Sequence, residues 1–457
     1  MHILYPGDAG FDAEISGYNL GVAHHPRAVV TPRNSAEAAE AVRWAVSLDR
    51  PVAVQSTGHG IGVPADGAVL LNMRRMNRVL VDAERRTAWF EGGTRWRDVI
   101  AAATAFGLAP LCGTAPDVGA VGYHLGGGLP VLARTFGYAA DHVRAFDLVT
   151  ADGAERHVTP QTGPDLFWAV RGGKSNFGVV TAMEIDLFPL ASVYAGRLVF
   201  PGALSATAFR VWRDWSRRMP ETMNSTVSFV RFPDIEKLPP EKRGQYLFTV
   251  VVVWSGDPEA GAAAVRPLRD LGPAVDTVAE VPYARIGEVY ADPTEPAAYV
   301  DAGGLIGELD DSAVEQVLAV AGPDALEPPF ALQLRRLGGA LERAPRHPGA
   351  IGHRTASDAV IAFGMAPDRE AVPAVRARLD AALAVLKPAL TGGTLPNFLG
   401  TADTAPDAVR AAYEAEDFAR LISVKRAFDP GNVFRINHNI PAPVPAVRTD
   451  ADQPAAL

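Results

Sequence analysis

The sequence predicts an α+β protein of two or more domains, and three observations carry that expectation. With 457 residues, 48% of them hydrophobic and 21% charged, the chain is long enough to bury a large core and should divide into domains. Up to about Leu190, helical runs interleave with short apolar strands and glycine-rich loops. Beyond it the texture changes to strongly alternating segments separated by helices, the pattern of one antiparallel sheet covered by helices.

Taken in order, the run from Asn34 to Leu48 reads as a helix, capped by Asn34 or Ser35, with Glu37 in its first turn and alanine dominant. Pro51 to Val54 is a short buried strand and Ala68 to Leu71 a second, in a βαβ-like rhythm; Arg78 to Val81 and Thr87 to Gly92 read as a hairpin. A helix follows from Trp96 to Phe106, with Gly107 at its C-cap position. Strands return at Val143 to Thr150 and Gly178 to Leu187, and Pro189 marks a break. The second half offers strands at Thr226–Phe232, Tyr246–Trp254, Phe330–Arg336 and Ala359–Met365, with helices at Pro258–Leu271 and Arg369–Leu386. In FALQLRR, Phe330, Leu332 and Leu334 share one face while Ala331, Gln333 and Arg335 share the other, so the polar face is free to line a site. A helix spans Ala405 to Arg426, and the Pro/Ala-rich residues 441–457 read as a disordered tail.

Composition narrows the partners. A net charge of −9 without a Lys/Arg cluster argues against nucleic acid and leaves a small molecule as the expected ligand. No run of about 18 apolar residues and no basic segment leading into an apolar core occurs, so neither membrane span nor signal peptide is expected. The lone Cys112 excludes an internal disulfide, and a cytoplasmic monomer or homodimer without a metal site is the expectation.

Three glycine-rich loops flank strands: Ser56 to Gly62, Gly113 to Gly128 and Arg171 to Gly178. Glycine lets backbone N–H groups converge and lets a ligand approach the main chain, which suits the pyrophosphate of a dinucleotide. One such loop could be a set of tight turns; three within about 120 residues are harder to dismiss. None spells G-x-G-x-x-G opening a helix after the first strand, which disfavours a nicotinamide-binding doubly wound domain.

The order and spelling of these loops, QSTGHG, EGGTRWRDV, PDVGAVGYHLGGG, YAADHV, LFWAVRGGKSNFGVV and KRAFDPGNVFRINHNI, resemble the FAD-linked oxidases of the vanillyl-alcohol-oxidase superfamily. The resemblance is to the berberine-bridge-enzyme-like branch, of the bacterial 6-hydroxynicotine-oxidase type, and runs from about Val29 to Ile440. It implies a two-subdomain FAD-binding domain over residues 1–190, joined by a returning segment at 396–440, and an antiparallel-sheet substrate domain over 191–395. The FAD contacts it implies are Gln55, Ser56, Thr57, Gly58, His59 and Gly60 in the first loop, and Gly113, Thr114, Val118, Gly119, Gly122, Tyr123, Gly126 and Gly127 in the second. Gly178, Val180, Asn437 and Asn439 complete the set, although the two asparagines would equally serve to cap the turn after Arg435.

In the family the first-loop histidine bonds covalently to the flavin, and His59 holds that position, with Gln55 for the usual arginine. A neutral imidazole is a competent nucleophile near pH 7. The cysteine that gives many relatives a second bond is replaced by Ala115, and Cys112 lies three residues too early, so attachment through His59 only is expected. Pro130 and Lys174 stand where the family has glycines; Lys174 either offsets phosphate or reduced-flavin charge or is a solvated loop lysine.

The implied activity is hydride removal from a C–H beside an alcohol or amine of a small molecule, with reoxidation by O2. The alternatives are a flavin dehydrogenase with another acceptor and a flavin-binding protein without turnover. The family's Y-x-N tyrosine is Leu395 here, only Asn397 being kept, and the strand Ala359–Met365 contains no acid. Tyr123, Tyr299 and His353 are the remaining candidates for the base, with Gln333 and Arg335 as substrate-positioning groups.

Overall fold

A computed structural model describes residues 1–236 and 240–442. All but the first two residues of the expected tail lie outside the described residues. Three sheets organise the chain. The first is four-stranded: β1 (Ile3–Leu4), β2 (Ala28–Val30), β3 (Val52–Gln55) and β4 (Val69–Asn72) lie in the order β1-β2-β4-β3, with β2, β4 and β3 parallel. The parallel pairing follows from the crossover helix Ser35–Ser47, where the Asn34 side chain accepts the Glu37 N–H at 2.9 Å. Its small buried face, Ala38, Ala41, Val42 and Ala45, permits close packing against the strands.

The second sheet is five-stranded and antiparallel. It contains the expected hairpin of β5 (Val79–Asp82) and β6 (Thr87–Glu91), with β8 (Val143–Val149), β9 (Glu155–Val158) and β10 (Val179–Asp186), in the order β5-β6-β10-β8-β9. β7 (Leu108–Ala109) and β11 (Phe188–Pro189) form a two-stranded ribbon beside it.

The third sheet runs β15-β12-β14-β13-β18-β19-β17, all neighbours antiparallel. Its strands are β12 (Ser192–Phe200), β13 (Met223–Arg231), β14 (Tyr246–Trp254), β15 (Val275–Asp276), β17 (Tyr299–Ile306), β18 (Ala331–Arg336) and β19 (Asp358–Met365); β16 (Ala279–Pro282) also pairs with β12. One face carries Val250, Val252, Val227, Leu332, Leu334, Val360, Ala362 and Val300, buried with Phe209, Trp212, Val265, Val317 and Leu379 from the covering helices. Burying each valine, leucine or phenylalanine among them stabilises the fold by about 1.5–3 kcal/mol. The opposite face sends Ala195, Val251 and Val253 into the core of the first half of the chain.

On that opposite face the register sets Thr226 beside Arg335, Ser228 beside Gln333, Gln333 beside Ile361, and Asp301 beside Phe363. The odd-even split expected of FALQLRR is the one observed: Leu332 and Leu334 are fully buried under helices, while Gln333 and Arg335 lie on the opposite face, Arg335 beside Leu129 and Pro130. The helix expected from Ala405 to Arg426 is instead two, Pro406–Arg410 and Ala415–Phe428. The interruption turns Tyr413 into the core, where its hydroxyl donates to the Gly172 carbonyl at 3.0 Å. No helix among the described residues is long and apolar enough to cross a membrane.

Candidate functional site

The first glycine loop leaves the end of β3. Gly58 adopts φ +73°, and a Cβ there would lie 2.5 Å from Gly17 Cα, so two backbones meet where only glycine fits. This tight turn presents His59. Its ring stacks on Tyr18 with centroids 3.9 Å apart and planes 11° from parallel; its Nδ1 is hydrogen-bonded to Thr57 Oγ1 at 2.9 Å; its carbonyl accepts the Tyr299 hydroxyl at 2.5 Å. Burial, then the nearby Arg95 guanidinium, pulls the imidazole pKa down to about 4, leaving a neutral ring at pH 7.

The second loop closes on the first. Gly119 donates its N–H to Thr57 Oγ1 at 3.2 Å, and a Cβ on Gly119 would lie 3.0 Å from Ser56 Oγ. Further along, Asn397 holds the loop by donating to the Tyr123 carbonyl at 3.2 Å and accepting the Gly128 N–H at 2.7 Å. The Tyr123 ring packs against Gly113 and Gly128, and its buried hydroxyl has no partner.

The third loop is stitched to the C-terminal segment. Asn176 donates to the His438 carbonyl at 3.1 Å and accepts the Ile440 N–H at 2.9 Å, and Lys425 Nζ donates to the Asn176 carbonyl at 2.7 Å. Lys174 is turned inward, its Nζ donating to His438 Nδ1 at 2.8 Å, while His438 Nε2 donates to the Gly400 carbonyl at 2.9 Å. The His438 ring fills the space beside Gly62, where a Cβ would meet it at 2.6 Å. Burial, then the Lys174 charge, holds His438 neutral with a pKa of about 3, and burial brings Lys174 itself down to about 8.

This cradle fits a flavin dinucleotide. Ser56 Oγ, Asn437 Oδ1 and Asn439 Oδ1 are buried without a partner, supplying one hydroxyl and two amide acceptors where the three loops converge. Gly60 and Gly122 have open space where a side chain would stand. The asparagine alternative is half realised, since Asn437 Nδ2 donates to the Phe434 carbonyl at 2.8 Å while its oxygen stays unpaired.

Other residues named from sequence are placed elsewhere. The Gln55 amide donates to the Ile15 and Ser16 carbonyls, tying the loop to the N-terminal segment. Gly178 gives close sheet packing, a Cβ there lying 2.4 Å from the Val149 carbonyl, and Val180 is buried in the core beside it. His353 has both ring nitrogens engaged, Nε2 by the Ala411 carbonyl at 3.0 Å and Nδ1 by Glu414 at 3.2 Å. Tyr18, His438, Asp301 and Tyr290 were not singled out from sequence. Asp301 is on the site-facing side of β17, its carboxyl pushed up to about 6 by burial and then by Asp403.

Comparison with known proteins agrees with this geometry. Residues 26–159 match the FAD binding domain family, and residues 394–441 match the family described as berberine and berberine like. The (R)-6-hydroxynicotine oxidase of Paenarthrobacter nicotinovorans is 29% identical over 96% of both chains. The crystal structure of 6-hydroxy-D-nicotine oxidase from Arthrobacter nicotinovorans superposes with a TM-score of 0.82 at 26% identity, covering 96% of this chain and 97% of that one. A carbohydrate oxidase from Microdochium nivale shares the fold, with a TM-score of 0.81 at 22% identity over 96% of this chain and 97% of that one. The chain is an FAD-linked oxidoreductase whose matched domains and relatives fit the berberine-bridge-enzyme-like branch of the vanillyl-alcohol-oxidase superfamily.

Proposed function

We propose that this protein is an oxidase that holds FAD covalently through His59 alone and takes a hydride from a C–H beside an alcohol or amine of a small secondary metabolite, with O2 as the final acceptor. The observation that carries the reading is His59 itself, a neutral imidazole held between Tyr18 and Thr57 where two glycine loops meet. With FAD bound, His59 would hold the flavin through an N–C bond to a ring methyl in place of an imidazole N–H and a methyl C–H, and O2 would take up the two electrons and two protons released. A second bond has no donor: Ala115 holds the cysteine position, and Cys112 is buried against Tyr283 with its thiol pushed up to about 11 by burial.

Bound FAD supplies the hydride acceptor. The protein's part is to orient and to exclude water. Gln333 and Arg335 on the sheet face, with the unpartnered Tyr123 hydroxyl opposite, are the groups available to position a substrate. Tyr299 and His353 are committed to protein partners, which supports roles in holding the site. Burial raises the Tyr123 phenol far above its ordinary range, so at neutral pH it donates a hydrogen bond and does not accept a proton.

Acid precipitation tests the reading. A yellow pellet is expected from the wild type and a colourless one from His59→Ala, whose flavin goes to the supernatant. Anaerobic mixing with alcohols and amines should bleach the bound flavin, and admission of air should restore the colour. A colourless wild-type pellet defeats covalent attachment, and reduced enzyme that stays bleached in air defeats the oxidase assignment.

A further inference from the structure

Beside the second glycine loop lies a compact pocket, walled by Leu129, Pro130 and Ala133 on the loop side and by Thr226, Tyr290 and Arg335 on the sheet side. Its charge is unbalanced. Arg335 makes one hydrogen bond, from Nη2 to Gln333 Oε1 at 3.3 Å; its Nε is buried without a partner, and no carboxylate among the described residues pairs with it. Arg336, also on the wall, pairs with Asp358 at 3.0 Å and keeps an unpartnered Nε. Behind them the buried Arg134 donates to the Met223 and Met219 carbonyls at 2.7 and 3.1 Å, again with its Nε unpartnered. Of these three guanidinium groups only Arg336 has a carboxylate within ion-pair distance among the described residues, that of Asp358.

Arg335 is half-buried with no counter-ion among the described residues, and the planar guanidinium fork matches a carboxylate through two parallel N–H···O bonds. The remaining polar groups suit the same guest. The Tyr290 and Thr226 hydroxyls are hydrogen-bonded to each other at 3.1 Å on the pocket wall. The Arg335 guanidinium lies 5.6 Å from the centre of the Phe398 ring. We infer that the substrate carries a carboxylate, bound in this pocket by Arg335 and the hydroxyls of Thr226 and Tyr290. The inference rests on the reading of this sheet face as the substrate side of an FAD oxidase, and it narrows that substrate to an acid bearing the oxidised alcohol or amine.

The test uses the flavin-loaded protein with benzoate and its neutral isostere benzamide as probes, followed by the visible difference spectrum of the flavin and by calorimetry. Benzoate is expected to bind at least tenfold more tightly than benzamide. Arg335→Met should erase that preference, Arg335→Lys should keep part of it, and Thr226→Val should weaken benzoate severalfold without affecting benzamide. If Arg335→Met does not fold, the lysine and valine variants carry the comparison. Equal binding of the two probes by wild type, or a preference that survives loss of Arg335, overturns the inference. Calorimetry separates this from failure of the oxidase reading, because charge discrimination is measured without turnover: discrimination with no flavin reduction by any substrate would sink the oxidase and leave the carboxylate site standing.

Discussion

Whether His59 is held as a neutral imidazole can be tested by pH alone. An ordinary histidine with a pKa near 6.5 is about 90% protonated at pH 5.5, and so about 10% competent as a nucleophile. With its pKa held at about 4, His59 is about 97% neutral at the same pH. If attachment scales with the neutral fraction, moving from pH 7.5 to 5.5 slows an ordinary histidine about tenfold and leaves this one within a few per cent. The assay mixes apoprotein with FAD, quenches in acid at timed intervals, and measures flavin fluorescence retained by the protein on a denaturing gel. Arg95 is the second cause of the depression after burial, so Arg95→Ala should restore some pH sensitivity in this window. The same shift acts against the fold. Between pH 6.5 and 4 the unfolded chain takes up a proton that folded His59 refuses, so stability from this group falls with pH by about 1.4 kcal/mol per unit. Circular dichroism at pH 5.5 therefore accompanies the assay. A tenfold slowing at pH 5.5 in protein that is still folded would refute the neutral, shielded imidazole.

Lys425 and Asp429 form a fully exposure-free pair at 2.6 Å, with 0% of either side chain accessible, and anchor the returning C-terminal segment. Lys425→Met should destabilise the fold by about 3–5 kcal/mol by stranding the carboxylate, measured by denaturant unfolding, whereas replacing both partners with apolar residues should cost much less. Cys112 is 1% exposed with its thiol pushed up to about 11, so a disulfide reagent should leave the native protein unlabelled and titrate one thiol after denaturation; rapid native labelling would contradict that burial. Near the carboxylate pocket the hydroxyls of Tyr123 and Tyr290 are both raised by burial, so neither phenol serves as a base near neutral pH. For amine substrates the acidic limb of kcat/KM should therefore follow the substrate's own ammonium pKa and move when that pKa is changed; a limb fixed across substrates would reveal a protein base.

Local chemistry made the first half of this site legible. Glycine spacing, the histidine within the first loop and the Asn pair near the C-terminus are contiguous motifs, each readable from a few neighbouring residues. The β18 strand was equally readable because its period-two alternation separates Leu332 and Leu334 from Gln333 and Arg335. The rest of the site depends on pairings that no local pattern encodes. Tyr18 stacks on His59 across 41 positions, Tyr299 reaches His59 across 240, and Lys174 meets His438 across 264. Asp301 sits in YVDAGGLI, whose alternation is blunted by two glycines, so neither the strand nor its site-facing acid stood out. The helix break at 411–414 was missed for a related reason: it serves Tyr413, whose partner carbonyl at Gly172 is distant in sequence.

The departures from the family's spelling acquire a common physical sense on this sheet face. Leu395, at the position of the family tyrosine, is buried with Leu129, Leu305, Leu341, Ile351 and Ala359, and Leu129 also walls the carboxylate pocket beside Pro130. Leu129, Pro130 and Ala133 give the pocket of Arg335 an apolar loop-side wall. A unit charge pair at 4 Å is worth about 1 kcal/mol in water and about 4 kcal/mol at an effective dielectric constant of 20. Under the carboxylate proposal this apolar wall strengthens the attraction between Arg335 and a bound anion, so orientation of the substrate rests on the guanidinium, Leu395 having no hydroxyl to offer.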